Sequence, residues 1–470
     1  MSHGVRIHRN HPRSPIRGTG HPVNNAPHTA SPGGARAAGR TALATLAGTT
    51  LEWYDFFLYG TAAALIFNEQ FFPSLSPTAG TLAAFSTFAV GFIARPLGGL
   101  VFGHYGDRIG RKATLVVSLL LMGIGSTLIG AIPTYDTIGF WAPVLLVALR
   151  VVQGIGLGGE GAGATLMSME HAPPGKKNLY AGFPQMGTPG GLVMANVVFL
   201  ATNALMGDGA FTSWGWRIPF LLSFVLVAVG LVIRLRVTES PSFSKVLATE
   251  DVVKFPLRES LRVGFPRLSL TLLAVVANSA VAYVFMVFTL SYGTQHLGYD
   301  KQFLIVCVTV AAALWFLTIP VWTTIADRYG RRTMFVWGSV AVLAWCVAFF
   351  PMLDTGDSVL AVVALLGMGL IIPVTHSVQG SIIVDTFPVN VSYSGTSVIL
   401  QSGAILGGGL APMISTALLD AGGSSTGVTW YLAGICTVSL AGAVALFRLV
   451  PERAPVPEPV PAPSLAGDRT

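Results

Sequence analysis

Stretches of about twenty apolar residues, the length a helix needs to cross roughly 30 Å of hydrocarbon, recur along this chain from Ala42 to Val450. Backbone immersed in lipid must satisfy its own hydrogen bonds, so such runs predict membrane-spanning helices. Composition agrees: 52% of the residues are hydrophobic and 10% charged, against about 25% charged in a soluble domain. The expected fold class is an all-α integral membrane protein with twelve transmembrane helices.

The spans are expected near 42–66, 79–103, 113–132, 142–168, 180–204 and 216–236, then near 269–291, 303–325, 333–352, 358–384, 394–418 and 429–449. They group into an N-terminal six-helix bundle, 42–236, and a C-terminal one, 269–450. The polar stretch 237–268, with Lys245, Lys254, Arg258 and Arg267 among its charges, is expected as the linker. Residues 1–41 carry Arg6, Arg9, Arg13, Arg17, Arg36 and Arg40 without one acid among many His, Pro and Gly, which predicts a disordered basic tail. That tail has no apolar core of a signal peptide and is expected to be retained. The last segment, 451–470, is Pro-rich and lacks heptads, so it is expected as a tail without a coiled coil.

The net charge of +7 does not point to nucleic acid, because no aromatic residues interleave the N-terminal arginines. Cys307, Cys346 and Cys436 lie in three different apolar runs, which suggests neither a disulfide framework nor a zinc site. Lys and Arg collect in alternate loops: the N-terminal tail, Arg108 to Lys112, Lys176 and Lys177, the linker, and Arg328 to Arg332. Basic loops resist translocation, so both termini are expected in the cytoplasm and the chain in the plasma membrane.

An internal repeat is visible. Asp107-Arg108-Ile109-Gly110-Arg111-Lys112 returns as Asp327-Arg328-Tyr329-Gly330-Arg331-Arg332, each copy between the second and third spans of its half. Glu170 and Pro173 return as Asp385 and Pro388, and Gln185, Gly187 and Gly191 as Gln401, Gly403 and Gly407. Two parallel six-helix halves around a midplane site are a common build of secondary transporters, in which one half rocks against the other. In the repeated loop glycine supplies the turn, and the aspartate is placed to pair with basic groups or a helix N-terminus in one conformation and release in the other. Asp107, Arg108, Arg111, Glu170, Asp327, Arg328, Arg331 and Asp385 are therefore expected at a cytoplasmic gate. Positive-inside anchoring alone explains the arginines and leaves the repeated aspartates unexplained.

Gly103 to Lys112 resembles the signature loop of the major facilitator superfamily. Glu52-Trp53-Tyr54-Asp55-Phe56, Arg95-Pro96-Leu97-Gly98-Gly99 and Arg150-Val151-Val152-Gln153-Gly154 resemble, more narrowly, its metabolite:proton symporter family. The resemblance covers roughly 42–450 and implies two pseudo-symmetric bundles, alternating access and symport of a small molecule with protons. The chain departs from that family's pattern at Lys177-Asn178, Ser392 and Asp385, where the family usually places Arg-Gly, Arg and Glu.

Ionisable groups deep in a span are expensive to bury and mark a pathway by default. Glu52 and Asp55 are three residues apart on one helix face, too close for comfortable joint ionisation, as a proton carrier requires. Either acid is a candidate coupling site, with Glu160 as a relay; structural pairing of the two acids with Arg95 or Arg150 is the competing reading. Arg150, Gln153, Tyr54 and Arg95 are candidate substrate contacts, the guanidiniums because their donor forks suit a carboxylate. The second half offers neutral groups: Asn278, Tyr283, Trp315, His376, Gln379 and Gln401. Gly154-Ile155-Gly156-Leu157-Gly158-Gly159 matches a nucleotide-binding pattern, but it lies inside one apolar span and reads as close helix packing.

The expectation is a secondary active transporter that takes up a small, carboxylate-bearing metabolite with protons. A proton-antiporting exporter is the alternative, and a channel or receptor the alternative of another class. No enzyme is expected, because no nucleophile with a base, metal cluster or cofactor motif is found. The expected partners are the small-molecule substrate, protons and the lipid bilayer.

Overall fold

The computed structural model describes residues 32–109, 111–158, 164–165, 168–169, 172–173, 175–236, 265–387 and 392–450. No strand occurs among them. Twelve long helical segments do: α1 (Pro32–Leu65), α2 (Pro77–Ile109), α3 (Arg111–Ala131), α4 (Trp141–Leu157), α5 (Lys177–Met206), α6 (Arg217–Arg236), α7 (Phe265–Gln295), α8 (Lys301–Tyr329), α9 (Arg331–Leu353), α10 (Ser358–Thr386), α11 (Gly395–Gly422) and α12 (Thr426–Leu449). The first helix starts at Pro32, within the stretch expected as tail, and α7 starts at Phe265, within the stretch expected as linker. In both places the apolar-run criterion is blind to helix that continues past the hydrocarbon.

Eight of the twelve are long and apolar enough to cross a membrane on length and composition alone. The other four are informative. Two shorter apolar segments, Val116–Ala131 and Trp141–Leu157, belong to α3 and α4, and α6 follows a 58° bend after Asp208–Gly215. The remaining one, α1, carries Glu52 and Asp55 at its centre. The solvation pattern is that of a lipid-facing bundle. Leu317, Phe224, Trp337 and Val359 lie on the outer surface, while Glu52, Asp55, Arg95 and Arg150 are buried. A water-soluble domain arranges these residue types the other way round.

Helix contacts repeat with a shift of six. In the first half α1 packs on α5, α2 on α4, α3 on α4 and on α6, and α1 on α6. In the second half α7 packs on α11, α8 on α10, α9 on α10 and on α12, and α7 on α12. Across the halves α5 meets α8, and α2 meets α11, which is the same contact under the same shift. Each of these pairs thus has its counterpart, as a pseudo-twofold relation between two six-helix bundles requires. The twelvefold alternation puts the start of α1 and the end of α12 on one face, called here the terminal face; the opposite one is the far face.

The second sequence echo has a packing cause. A Cβ at Gly187 would fall 2.1 Å from Oγ1 of Thr49, and one at Gly191 2.5 Å from Cβ of Trp53, so glycine lets α5 lie against α1. A Cβ at Gly407 would fall 2.7 Å from the Val276 carbonyl oxygen, giving the same approach of α11 to α7, whereas one at Gly403 would meet nothing nearer than 3.8 Å, so packing accounts for the second glycine of that pair and not the first. Small residues allow helices in lipid to reach this close packing.

Candidate functional site

The site begins with the α2–α4 seam. A Cβ at Gly98 would lie 2.0 Å from the carbonyl oxygen of Ile155, one at Gly154 2.2 Å from that of Gly91, and one at Gly158 2.0 Å from that of Arg95. Glycine therefore brings two backbones together, in agreement with packing as the role of this run. Arg95 on α2 and Arg150 on α4 are carried inward by that seam, and a Cβ at Gly91 would strike the Arg150 guanidinium at 2.6 Å.

Arg150, 1% exposed, opens a polar chain through the first half. Its Nη1 donates to Oε1 of Gln153 at 2.9 Å, and its Nη2 to the Phe88 carbonyl at 3.3 Å. Nε2 of Gln153 donates to Oγ of Ser126 at 2.6 Å. Ser126 also faces the buried carboxylate of Asp55, whose Oδ1 accepts from the Ser223 hydroxyl at 2.5 Å. Four helices, α4, α3, α1 and α6, thus contribute to one connected path between a guanidinium and a carboxylate. Aromatic faces supply the rest of the cation's environment: the Arg150 Cζ lies 3.9 Å from the Tyr59 ring centroid and 5.0 Å from that of Phe56.

Arg95 belongs to a different place. It lines a central cavity of about 130 Å³ together with Glu52, Trp53, Thr188, Asn278, Tyr283, Trp315, His376, Gln379 and Gln401. Its Cζ stacks 4.5 Å from the rings of both Phe56 and Phe92, and the charge of Glu52 acts on it. The Arg95 guanidinium faces the Tyr283 hydroxyl, while its Nε and Nη2 are buried without a hydrogen bond of good geometry, as are Nε1 of Trp315 and Nδ1 of His376. An unsatisfied buried polar group costs about 1–3 kcal/mol. Groups on α2, α8 and α10 bear this cost around one cavity, which is the arrangement a ligand completes. On the second-half wall Nδ2 of Asn278 donates to Oε1 of Gln379, while Thr375 donates to Oδ1 of Asn278 at 3.1 Å.

The cavity is closed toward the far face. One turn beyond Glu52 and Arg95 lie Phe56 and Phe92, and one turn farther Phe88, with the Phe56 and Phe92 centroids 4.6 Å apart and those of Phe92 and Tyr283 5.3 Å apart. Phe92 presses on a π-helical turn of α11, Ala404–Gly409: a Cβ at either Gly408 or Gly409 would meet its ring at 2.9 Å. Farther out Thr81 of α2 donates to Gln295 of α7 at 3.1 Å, and Nζ of Lys301 sits 5.7 Å from the ring of Phe199. Toward the terminal face the cavity continues past Thr165, Gln185, Ile383 and Thr396.

At that terminal face Nδ2 of Asn178, at the start of α5, donates to Oδ1 of Asp327, at the end of α8, at 2.7 Å. Asp327 thereby bridges the halves beside a helix N-terminus, where a carboxylate is favoured. Arg331 forms an ion pair with Asp385 inside the second half, and exposed Arg328 lies 5.5 Å over the ring of Tyr329. Glu160 and Glu170, and the side chains of Asp107, Arg108 and Arg111, lie outside the described residues.

Of the side chains expected to meet a substrate, Arg95, Asn278, Tyr283, His376, Gln379 and Gln401 line the cavity. Arg150, Gln153 and Tyr54 do not: the first two are committed to the chain toward Asp55, and the Tyr54 hydroxyl donates to the Pro219 carbonyl at 2.8 Å. The two candidate acids separate as well, Glu52 into the cavity wall and Asp55 into the chain. Sequence reasoning missed Ser126 and Ser223. A serine in an apolar run carries no positional signal, and only the fold puts α3 and α6 against Asp55.

A buried polar cavity between duplicated halves of a helical membrane protein, narrowed on both faces by contacts across the halves, is the architecture of a transporter. The family model described as Major Facilitator Superfamily matches residues 45–400, and the chain belongs to that superfamily. It is 41% identical over 404 residues to the inner membrane metabolite transport protein YhjE of Escherichia coli K12, covering 85% of this chain and 91% of that protein. It is 39% identical to the shikimate transporter of the same organism, over 85% and 92% of the two chains, and 30% identical to its proline/betaine transporter, over 84% and 80%. Among solved structures, a D-xylose-proton symporter superposes with a TM-score of 0.67 at 18% identity, covering 88% of this chain and 98% of the other. The relatives are transporters, and this chain is a multi-pass membrane transporter rather than an enzyme.

Proposed function

We propose that this transporter takes up a small carboxylate-bearing metabolite together with protons by alternating access, in the plasma membrane and with both termini in the cytoplasm. The observation that carries the reading is the split of charge in the first half: Arg95 lines the cavity beside Glu52 with Nε and Nη2 unsatisfied, while Asp55 is buried outside the cavity wall in a chain leading to Arg150. Both guanidiniums pack on the Phe56 ring. A cargo carboxylate on Arg95 and an ionised Asp55 therefore draw on the same positive field, and like charges in a low dielectric oppose joint ionisation. Anion binding and proton binding then favour each other, and the coupling is reciprocal.

Each group has one task in this scheme. Arg95 supplies a planar donor fork that orients the carboxylate. Asp55 holds the transported proton, with the Ser223 and Ser126 hydroxyls able to donate to its ionised form. The Asp327–Asn178 bridge and the α2–α11 seam are the contacts that exchange as the halves rock. The Asp107, Arg108 and Arg111 loop and Glu170 are assigned to the same cytoplasmic gate by the sequence repeat. The name of the shikimate transporter among the relatives supports a carboxylate as cargo, and the likeness in fold to a proton symporter is consistent with proton coupling.

The test is transport by purified protein in proteoliposomes, with the carboxylate that raises its thermal unfolding temperature most in a screen of organic acids and betaines. An imposed inward proton gradient is expected to drive concentrative uptake that a protonophore abolishes. Uptake indifferent to the gradient, or accumulation only when the gradient is reversed, contradicts the proposal.

A further inference from the structure

The second-half wall of the cavity holds two groups that the scheme above leaves idle. Trp315 of α8 is fully buried, lines the cavity, and has no partner for its indole Nε1–H. His376 of α10 lines the same wall, its ring packed edge-on against Trp315 at 5.0 Å between centroids, with Nδ1 unpartnered. An indole N–H donates and never accepts, so whatever completes Trp315 must bring an acceptor oxygen or nitrogen. Asn278 and Gln379, tied to each other on that wall, add further amide groups.

On the opposite wall Arg95 is the one Lys or Arg among the residues lining the cavity. Glu52 shares that wall and its charge acts on Arg95, so the guanidinium has room for no more than one cargo carboxylate. Resting on the carboxylate reading above, we infer that Trp315 and His376 form a second subsite that reads hydroxyl groups on the cargo, so that the preferred substrate class is the hydroxylated monocarboxylic acid. A dicarboxylate would bring a second charge to a wall of neutral donors and amides. A betaine would bring methyl groups that accept no hydrogen bond and leave Trp315 unsatisfied. A site built to hydrogen-bond a hydroxyl rejects the analogue lacking it, because its own buried donors are then left unpaired.

The experiment compares shikimate, as a ring monocarboxylate with hydroxyls, with cyclohexenecarboxylate, succinate and glycine betaine in the same proteoliposomes. Wild type is expected to show kcat/KM for shikimate at least tenfold above each of the others. In W315F, and separately in H376F, the shikimate to cyclohexenecarboxylate ratio is expected to fall about tenfold. Because the readout is a ratio within one preparation, a loss of folded protein does not imitate it. Equal use of the two ring acids by wild type, an unchanged ratio in W315F, or preference for succinate or betaine overturns the inference while a carboxylate reading can stand. Transport of none of the three acids removes the carboxylate reading and the inference together.

Discussion

Arg95 and Arg150 lie on neighbouring helices and stack on the same phenylalanine, yet their surroundings assign them different work. Arg95 keeps donors free in the cavity; Arg150 spends its Nη donors on Gln153 and a backbone carbonyl. Arg95→Lys removes the planar fork and is expected to raise KM tenfold or more, about 1.4 kcal/mol of binding, read from initial uptake rates. Gln153→Leu cuts the path between Arg150 and Ser126 without touching the cavity. Its expected signature is weakened gradient-driven accumulation at nearly unchanged KM, and a rise in KM as large as that of Arg95→Lys would place Gln153 at the cargo instead. Sequence could nominate every charge in this constellation, because charge in an apolar run is rare. It could not separate Glu52 from Asp55, or Arg95 from Arg150, since three residues along α1 decide which acid faces the cavity and which faces α6.

Helices pack here through glycine, and the consequences differ sharply along the chain. At Gly98 a methyl group would fall 2.0 Å from a carbonyl oxygen of α4, whereas at Gly434 of α12 nothing lies within 4 Å. Overpacking of this kind costs about 1–3 kcal/mol, and backbone cannot step aside as a side chain can. Gly98→Ala is expected to lower the thermal unfolding temperature and the transport rate together, while Gly434→Ala leaves both nearly unchanged; equal effects of the two would remove the seam from the account. The apolar runs made all twelve of these helices legible in advance, and the glycine periodicity made their close packing legible. The ends of α1 and α7 were not, because helix outside hydrocarbon needs no apolar run. The π-helical turns at Val284–Phe288 and Ala404–Gly409 had no sequence signal beyond a cluster of glycines in the second.

For the whole molecule the decisive feature is that two seams, α5–α8 and α2–α11, are one contact related by the pseudo-twofold. Rocking must open one end of the cavity while the other stays closed. Asn178 and Asp327 hold the terminal face, and Thr81 and Gln295 the far face, each within hydrogen-bond reach. Cysteine pairs at 178 and 327, or at 81 and 295, are expected to cross-link on oxidation and stop transport, with recovery on reduction. Transport that persists through either cross-link would mean that the seam need not open. The central claim, that a proton on Asp55 moves with the cargo, is tested most directly by comparing two assays of Asp55→Asn in proteoliposomes. A residue fixed in its neutral form is expected to sustain exchange of labelled for unlabelled substrate while losing concentrative uptake under a proton gradient. Gradient-driven accumulation by Asp55→Asn at the wild-type level would contradict the account.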